Sequence, residues 1–86
     1  MYKKDVIIKM ENGLHARPAS LFIQKASKFK SDIQIQIDDK SFNAKSILAL
    51  ISAGIRYDSK ITISADGEDE EQAVEELTKF IENFEE

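Results

Sequence analysis

Between Asp32 and Ile37 the chain alternates strictly: Ile33, Ile35 and Ile37 follow Asp32, Gln34 and Gln36 in turn. Side chains of a strand point to opposite faces with a period of two, so this run commits the fold to a sheet with one apolar and one wet face. An apolar sheet face must be covered, and two longer segments can cover it. Ala19, Phe22, Ile23, Ala26 and Phe29 recur at helical spacing, which predicts an amphipathic helix over residues 16–29. Pro18 lies near its start, where a missing amide hydrogen costs nothing and the fixed φ helps. Val74, Leu77, Ile81 and Phe84 stripe a last helix beginning near Asp69. Asp69 and Gln72 fit a capping box, and the carboxylates of its first turn complement the helix dipole.

Shorter elements lie between these. Val6, Ile8 and Met10 alternate with Ile7 and Lys9, predicting a first strand that ends at the turn signal Asn12-Gly13. Asp38-Asp39-Lys40 is a turn from which residues 41–44 return as a short strand. Ser46 precedes the apolar residues 47–53 and Gly54 follows them, an N-cap and a C′ residue around a two-turn helix. Residues 60–65 form the fourth strand, Ile61 and Ile63 inward, broken by Asp66-Gly67. The order β-α-β-β-α-β-α predicts an α+β open-faced β-sandwich: a four-stranded antiparallel sheet with three helices on one face. At this length residues 1–86 read as a single domain around one core.

Composition narrows the function. The chain has no cysteine and one histidine, so it offers no disulfide framework, no thiolate nucleophile and no cluster of metal ligands. A net charge of −4 opposes nucleic acid, and no apolar run is long enough for a secretory segment or a membrane span. The expected setting is the cytoplasm, without membrane insertion. Charge is uneven: beyond Asp66 the only cation is Lys79, whereas Lys3, Lys4, Lys9, Arg17, Lys25, Lys28 and Lys30 crowd the N-terminal part. That asymmetry suits an acidic protein partner.

The segment Asn12-Gly13-Leu14-His15-Ala16-Arg17-Pro18-Ala19 puts the histidine between a turn and a helix start. The first amides of a helix have no internal partners and favour an anion. Neutral imidazole is nucleophilic near physiological pH, and the planar fork of Arg17 suits phosphate oxygens. A lone histidine at a helix start is nevertheless more often a packing or capping residue.

Residues 13–19, Gly-Leu-His-Ala-Arg-Pro-Ala, match the active-site signature of the histidine-containing phosphocarrier (HPr) family of the bacterial sugar phosphotransferase system letter for letter. Chain length, element order, Lys45-Ser46-Ile47-Leu48 and the strand at residues 61–67 are also similar to that family. The resemblance implies a covalent carrier rather than an enzyme, needing no cofactor. His15 would accept phosphate from enzyme I and pass it to enzyme IIA domains, assisted by Arg17. Ser46 matches a serine that HPr kinase/phosphorylase modifies in Gram-positive members, recruiting a catabolite-control transcription regulator. A phosphate there would also sit at a helix N-terminus, where its charge is tolerated. Eight residues cannot turn every apolar side chain inward, so some of Ile47, Leu48 and Ile51 are expected on the surface. With Ser20 they resemble the family's partner-docking face on a monomer.

The chain departs from the family where methionines at 48 and 51 and glycines at 49 and 58 are frequent; it has Leu48, Ile51, Ala49 and Asp58. Stiffer side chains narrow the range of partners a surface accommodates. The alternatives are a regulatory binding protein acting through phosphorylated Ser46 without histidine transfer, a nitrogen-linked branch of the same relay, and a nucleic-acid or metal module. The charge and the lack of ligand clusters disfavour the last.

Overall fold

The computed structural model describes every residue except Asn12, His15, Glu85 and Glu86. Its elements are β1 (Tyr2–Ile7), α1 (Ala16–Ala26), β2 (Asp32–Ile37), β3 (Lys40–Asn43), α2 (Ile47–Ser52), β4 (Lys60–Asp66) and α3 (Glu70–Asn83). The strands form one antiparallel sheet in the order β1-β4-β2-β3. The three helices cover one face of it, so the α+β open-faced sandwich expected from the element order is the fold observed.

β2 sets the register. Ile33 and Ile35 are fully buried, and Ile35 pairs with Ile63 of β4 on one side and Phe42 of β3 on the other. Ile61, Ile63 and Ala65 continue the apolar face, against which Phe22, Leu50, Val74, Leu77 and Ile81 pack from the helices. At about 25 cal/mol per Å² of apolar surface removed from water, each such side chain contributes about 1.5–3 kcal/mol.

Four expectations need correction. β1 lies further toward the N-terminus than the alternation of Val6, Ile8 and Met10 suggests. All three are buried, but ladder pairing stops at Ile7, opposite Lys60. The strand instead includes Lys3, Lys4 and Asp5. Lys4 pairs with buried Ile63 and so points to the helix side, where its Nζ lies 3.2 Å from a carboxylate oxygen of Glu75; the Tyr2 hydroxyl donates to the same carboxylate at 2.7 Å. The Tyr2 hydroxyl and Lys4 together hold the Glu75 carboxyl below its usual range. α1 ends at Ala26 rather than Phe29, the chain tightening through bonds from Lys28 to the Lys25 carbonyl and from Phe29 to that of Ala26. β3 begins at Lys40, one residue early, because Asp38 takes a positive φ of 56° and closes the hairpin in two residues.

The fourth correction concerns α3. Asp69 occupies its N-cap position but makes no capping bond, and Gln72 bonds Glu76 instead. The Asp69 carboxylate accepts from the amides of Lys30 (2.8 Å) and Ser31 (3.0 Å) and from the Ser31 hydroxyl. It therefore ties the loop before β2 to the start of α3. Gly67 makes the approach possible, since a Cβ there would stand 2.7 Å from Cα of Ser31. The exposed amide of Gly67 is taken by Glu70 Oε1 at 3.1 Å.

The Ser31 hydroxyl, then the Lys30 amide, hold the Asp69 carboxyl below its ordinary 3.8. A carboxyl depressed by folding stabilises the fold above its unfolded value, and that contribution is lost as pH falls through the folded value. Asp69→Asn should therefore melt below the wild type at neutral pH, and the gap should shrink as the pH is taken below 3.8. Thermal melts of both proteins across the acid range measure this.

Candidate functional site

Leu14 and Gly13 set the geometry of the loop that enters α1. Leu14 is buried in the core, and its amide donates to the Ile55 carbonyl at 3.1 Å. Gly13 has φ +70°, and a Cβ there would collide with the Ile55 carbonyl oxygen and lie 2.8 Å from Cα of Arg56. Two requirements, a left-handed φ and contact with another backbone, thus coincide on one residue. After the loop, Pro18 and Ala19 are buried while Ala16, Arg17 and Ser20 are exposed. His15 lies outside the described residues; of its neighbours, Leu14 is a buried anchor and Ala16 begins α1.

Arg17 forms no ion pair among the described residues. Ion pairs among the described residues lie elsewhere, at Lys4–Glu75, Lys30–Glu68, Lys60–Asp5 and from the terminal amine to Glu70 and Asp66. An exposed guanidinium in the first turn of a helix carries all its donors into solvent, where an incoming oxyanion can take them.

α2 packs against α1 beside this loop. Ser46 is its N-cap, with extended backbone angles and an Oγ that accepts from the Ala49 amide at 3.2 Å. Gly54 follows at φ +64°, the C′ conformation expected of it. Leu50 faces the core with no exposed surface, whereas Ile47, Leu48 and Ile51 are 39%, 76% and 52% exposed. The apolar patch expected on this helix is therefore present, and all three members belong to it. Ser46 stands at the far end of α2 from the Gly13–Ile55 contact, so the six helical residues separate the two by about 9 Å at 1.5 Å per residue.

Some features had no local signal in the sequence. Lys45 is half-buried, its Nζ donating to the Phe29 carbonyl at 2.8 Å, which joins the start of α2 to the end of α1. Arg56 and Tyr57, both exposed, follow the backbone that Gly13 touches. Asp58 was signalled, standing where the resembled family often has glycine, and it adopts φ +68°, the left-handed turn for which glycine is the cheaper residue. Among the described residues no cluster of metal-ligating side chains occurs, and no helix is long and apolar enough to cross a membrane.

The family model for the phosphorylation site of the HPr component of the phosphotransferase system matches residues 2–83. The chain belongs to the HPr family. It is 48% identical to the phosphocarrier protein HPr of Borreliella burgdorferi over the full length of both chains. It is 49% identical to the HPr-like protein Crh of Halalkalibacterium halodurans, over 95% of this chain and 98% of the other. A crystal structure of HPr from Thermoanaerobacter tengcongensis superposes with a TM-score of 0.92 at 46% identity, over 95% of this chain and 92% of that one. Crh of Bacillus subtilis, crystallised as a domain-swapped dimer, gives a TM-score of 0.77 at 40% identity, over 95% and 94% of the two chains. HPr and Crh relatives thus stand at nearly equal distance from this HPr-family chain.

Two stability measurements test the local geometry. Gly13→Ala forces a Cβ into the Ile55–Arg56 backbone at positive φ, and urea denaturation should show a loss of at least about 1–3 kcal/mol. Ser46→Ala removes only the N-cap bond, so its loss should be about 1 kcal/mol, with Ser46→Asp close to wild type.

Proposed function

We propose that this HPr-family chain is a cytoplasmic phosphocarrier in which His15 accepts a phosphoryl group from enzyme I and donates it to enzyme IIA domains during sugar uptake. The observation that carries this reading is Arg17, exposed and without an ion pair among the described residues in the first turn of α1, two residues from the only histidine of the chain. In the first transfer the bond from phosphorus to its donor on enzyme I breaks as a bond to an imidazole nitrogen of His15 forms; in the second that N–P bond breaks as a bond from phosphorus to the acceptor group of the enzyme IIA domain forms. The chain is a stoichiometric intermediate, returned unchanged, and requires no cofactor. Arg17 meets the charge on the phosphoryl oxygens as it moves.

A carrier must enter two different active sites in turn, so accessibility serves it better than a closed pocket. Ser20, Ile47, Leu48 and Ile51 would form the docking surface around the loop, an apolar centre with a polar rim. Residues 1–86 would act as one domain and as a monomer.

Kinship to Crh favours one second reading, a regulatory binding protein that acts through phosphorylated Ser46 without histidine transfer. The Ser46 hydroxyl is already spent as an N-cap, and a phosphate placed there would keep the capping acceptor while adding charge beside Ile47 and Leu48. Modification by HPr kinase/phosphorylase would then alter docking without unfolding the domain, whether the effect is to inhibit charging of His15 or to recruit a catabolite-control transcription regulator.

Incubation with enzyme I, phosphoenolpyruvate and magnesium decides between them. Intact mass should show one acid-labile phosphoryl group on wild type and none on His15→Ala, and the group should pass to an enzyme IIA domain. A wild type that never becomes charged leaves the Ser46-centred reading.

A further inference from the structure

The chain has ten lysines but only two arginines, Arg17 and Arg56, and both border the loop of residues 13–17. One belongs to the first turn of α1. The other, 39 positions later in the sequence, is brought there by the close approach of Gly13 to its Cα. Neither forms an ion pair among the described residues, although acidic side chains outnumber basic ones in the chain, 16 to 12. The turn that presents Arg56 is rigid: the Arg56 amide bonds Ser59 Oγ at 3.3 Å, the Ser59 amide returns to the Arg56 carbonyl at 3.1 Å, and Asp58 is held in the left-handed region. Its neighbour Tyr57 is 57% exposed, one of the few large side chains left in solvent together with Ile47, Leu48 and Ile51.

Resting on the carrier reading, we infer that Arg56 and Tyr57 are a second anchor for the phosphoryl-donating protein, Arg56 pairing with a carboxylate on its face. Arginine and tyrosine are the residue types that carry binding energy at interfaces, the one by its fixed fork of donors and the other by rigid area with a polar tip. Charge complementarity selects the occupant. The net charge of −4 gives an acidic partner no overall attraction, so local positive charge must orient it, and Arg17 and Arg56, neither in an ion pair among the described residues, supply that charge on either side of the loop. Arg56 is thus a positioning residue acting on the partner, whereas Arg17 acts on the phosphoryl group.

The test uses the full chain, purified enzyme I without phosphoenolpyruvate, and calorimetric titration at several salt concentrations, beside initial rates of His15 phosphorylation. Arg56→Ala should weaken binding about tenfold, flatten the salt dependence, and raise KM for the carrier with kcat unchanged. Arg56→Lys should recover part of the affinity. Because the Arg56 side chain is exposed and its turn bonds are backbone and Ser59 bonds, the urea midpoint of both variants should match wild type. An unchanged dissociation constant overturns the inference, and so does a lower kcat at unchanged affinity, which would place Arg56 on the phosphoryl group. If the wild type is charged normally and Arg56→Ala binds as well as it does, only this inference fails. If the wild type neither binds enzyme I nor is charged, the carrier reading fails and takes the inference with it.

Discussion

The backbone of Gly13 lies against Ile55 and Arg56 with no room for a side chain, and that contact determines what this small domain can present to a partner. It joins the loop before α1 to the segment leaving α2, so two elements distant in sequence share one edge of the molecule. Leu14 reinforces the contact from both sides, with its amide on the Ile55 carbonyl and its side chain in the core. Leu14 and Pro18-Ala19 are buried and the residues described between them are exposed, so the loop is held at both ends and open in the middle. Rigidity comes from the scaffold and accessibility from the loop, a division of labour that suits a group passed between proteins.

What surrounds the loop follows from the same constraint. α2 has six residues, too few to bury one stripe and also present a wholly polar second face, and only Leu50 points fully inward. Ile47, Leu48 and Ile51 remain outside because the sheet face is already filled by Phe22, Val74, Leu77 and Ile81. An exposed apolar patch on a small domain lowers solubility unless a partner uses it. Among the described residues, Lys4 joins β1 to α3, Lys60 joins β4 to β1, and Lys30 meets Glu68 between the loops before β2 and α3. Among the described residues the arginines beside the loop form no ion pair.

The fold was legible where a signal is local and periodic. The isoleucines of β2, the stripe of α3 and the Ser46–Gly54 bracket around α2 each rest on residues within one element, and each lies where the pattern put it. β1 was hidden because Lys4, which looks like a surface residue, points to the helix side and is satisfied by Glu75, 71 positions away. Asp69 was misread for a related reason. Its capping pattern is real, but Ser31 and Lys30 offer the carboxylate three donors where the helix would offer one or two. Of the candidate site, the residues within the signature were readable through their resemblance to the family's motif rather than from their spacing alone, whereas Arg56 and Tyr57 carry no motif and enter only through the tertiary contact at Gly13.

If Ser46 is phosphorylated as proposed, one side chain would hold two roles without conflict. Its Oγ accepts a bond from Ala49, and an acceptor is what a phosphate also provides, in greater number and with negative charge toward the amides of the helix start. The scaffold thus pays little for a modification there. What the added charge changes is the neighbourhood: Ile47 and Leu48 are the next two residues, both exposed, and a dianion beside an apolar patch penalises its burial against a partner. Because α2 spans the distance between Ser46 and the loop, a modification at one end would act on the proposed docking across the helix rather than on the chemistry of the loop itself. A change in partner binding with unaltered folding is the physical signature of that arrangement.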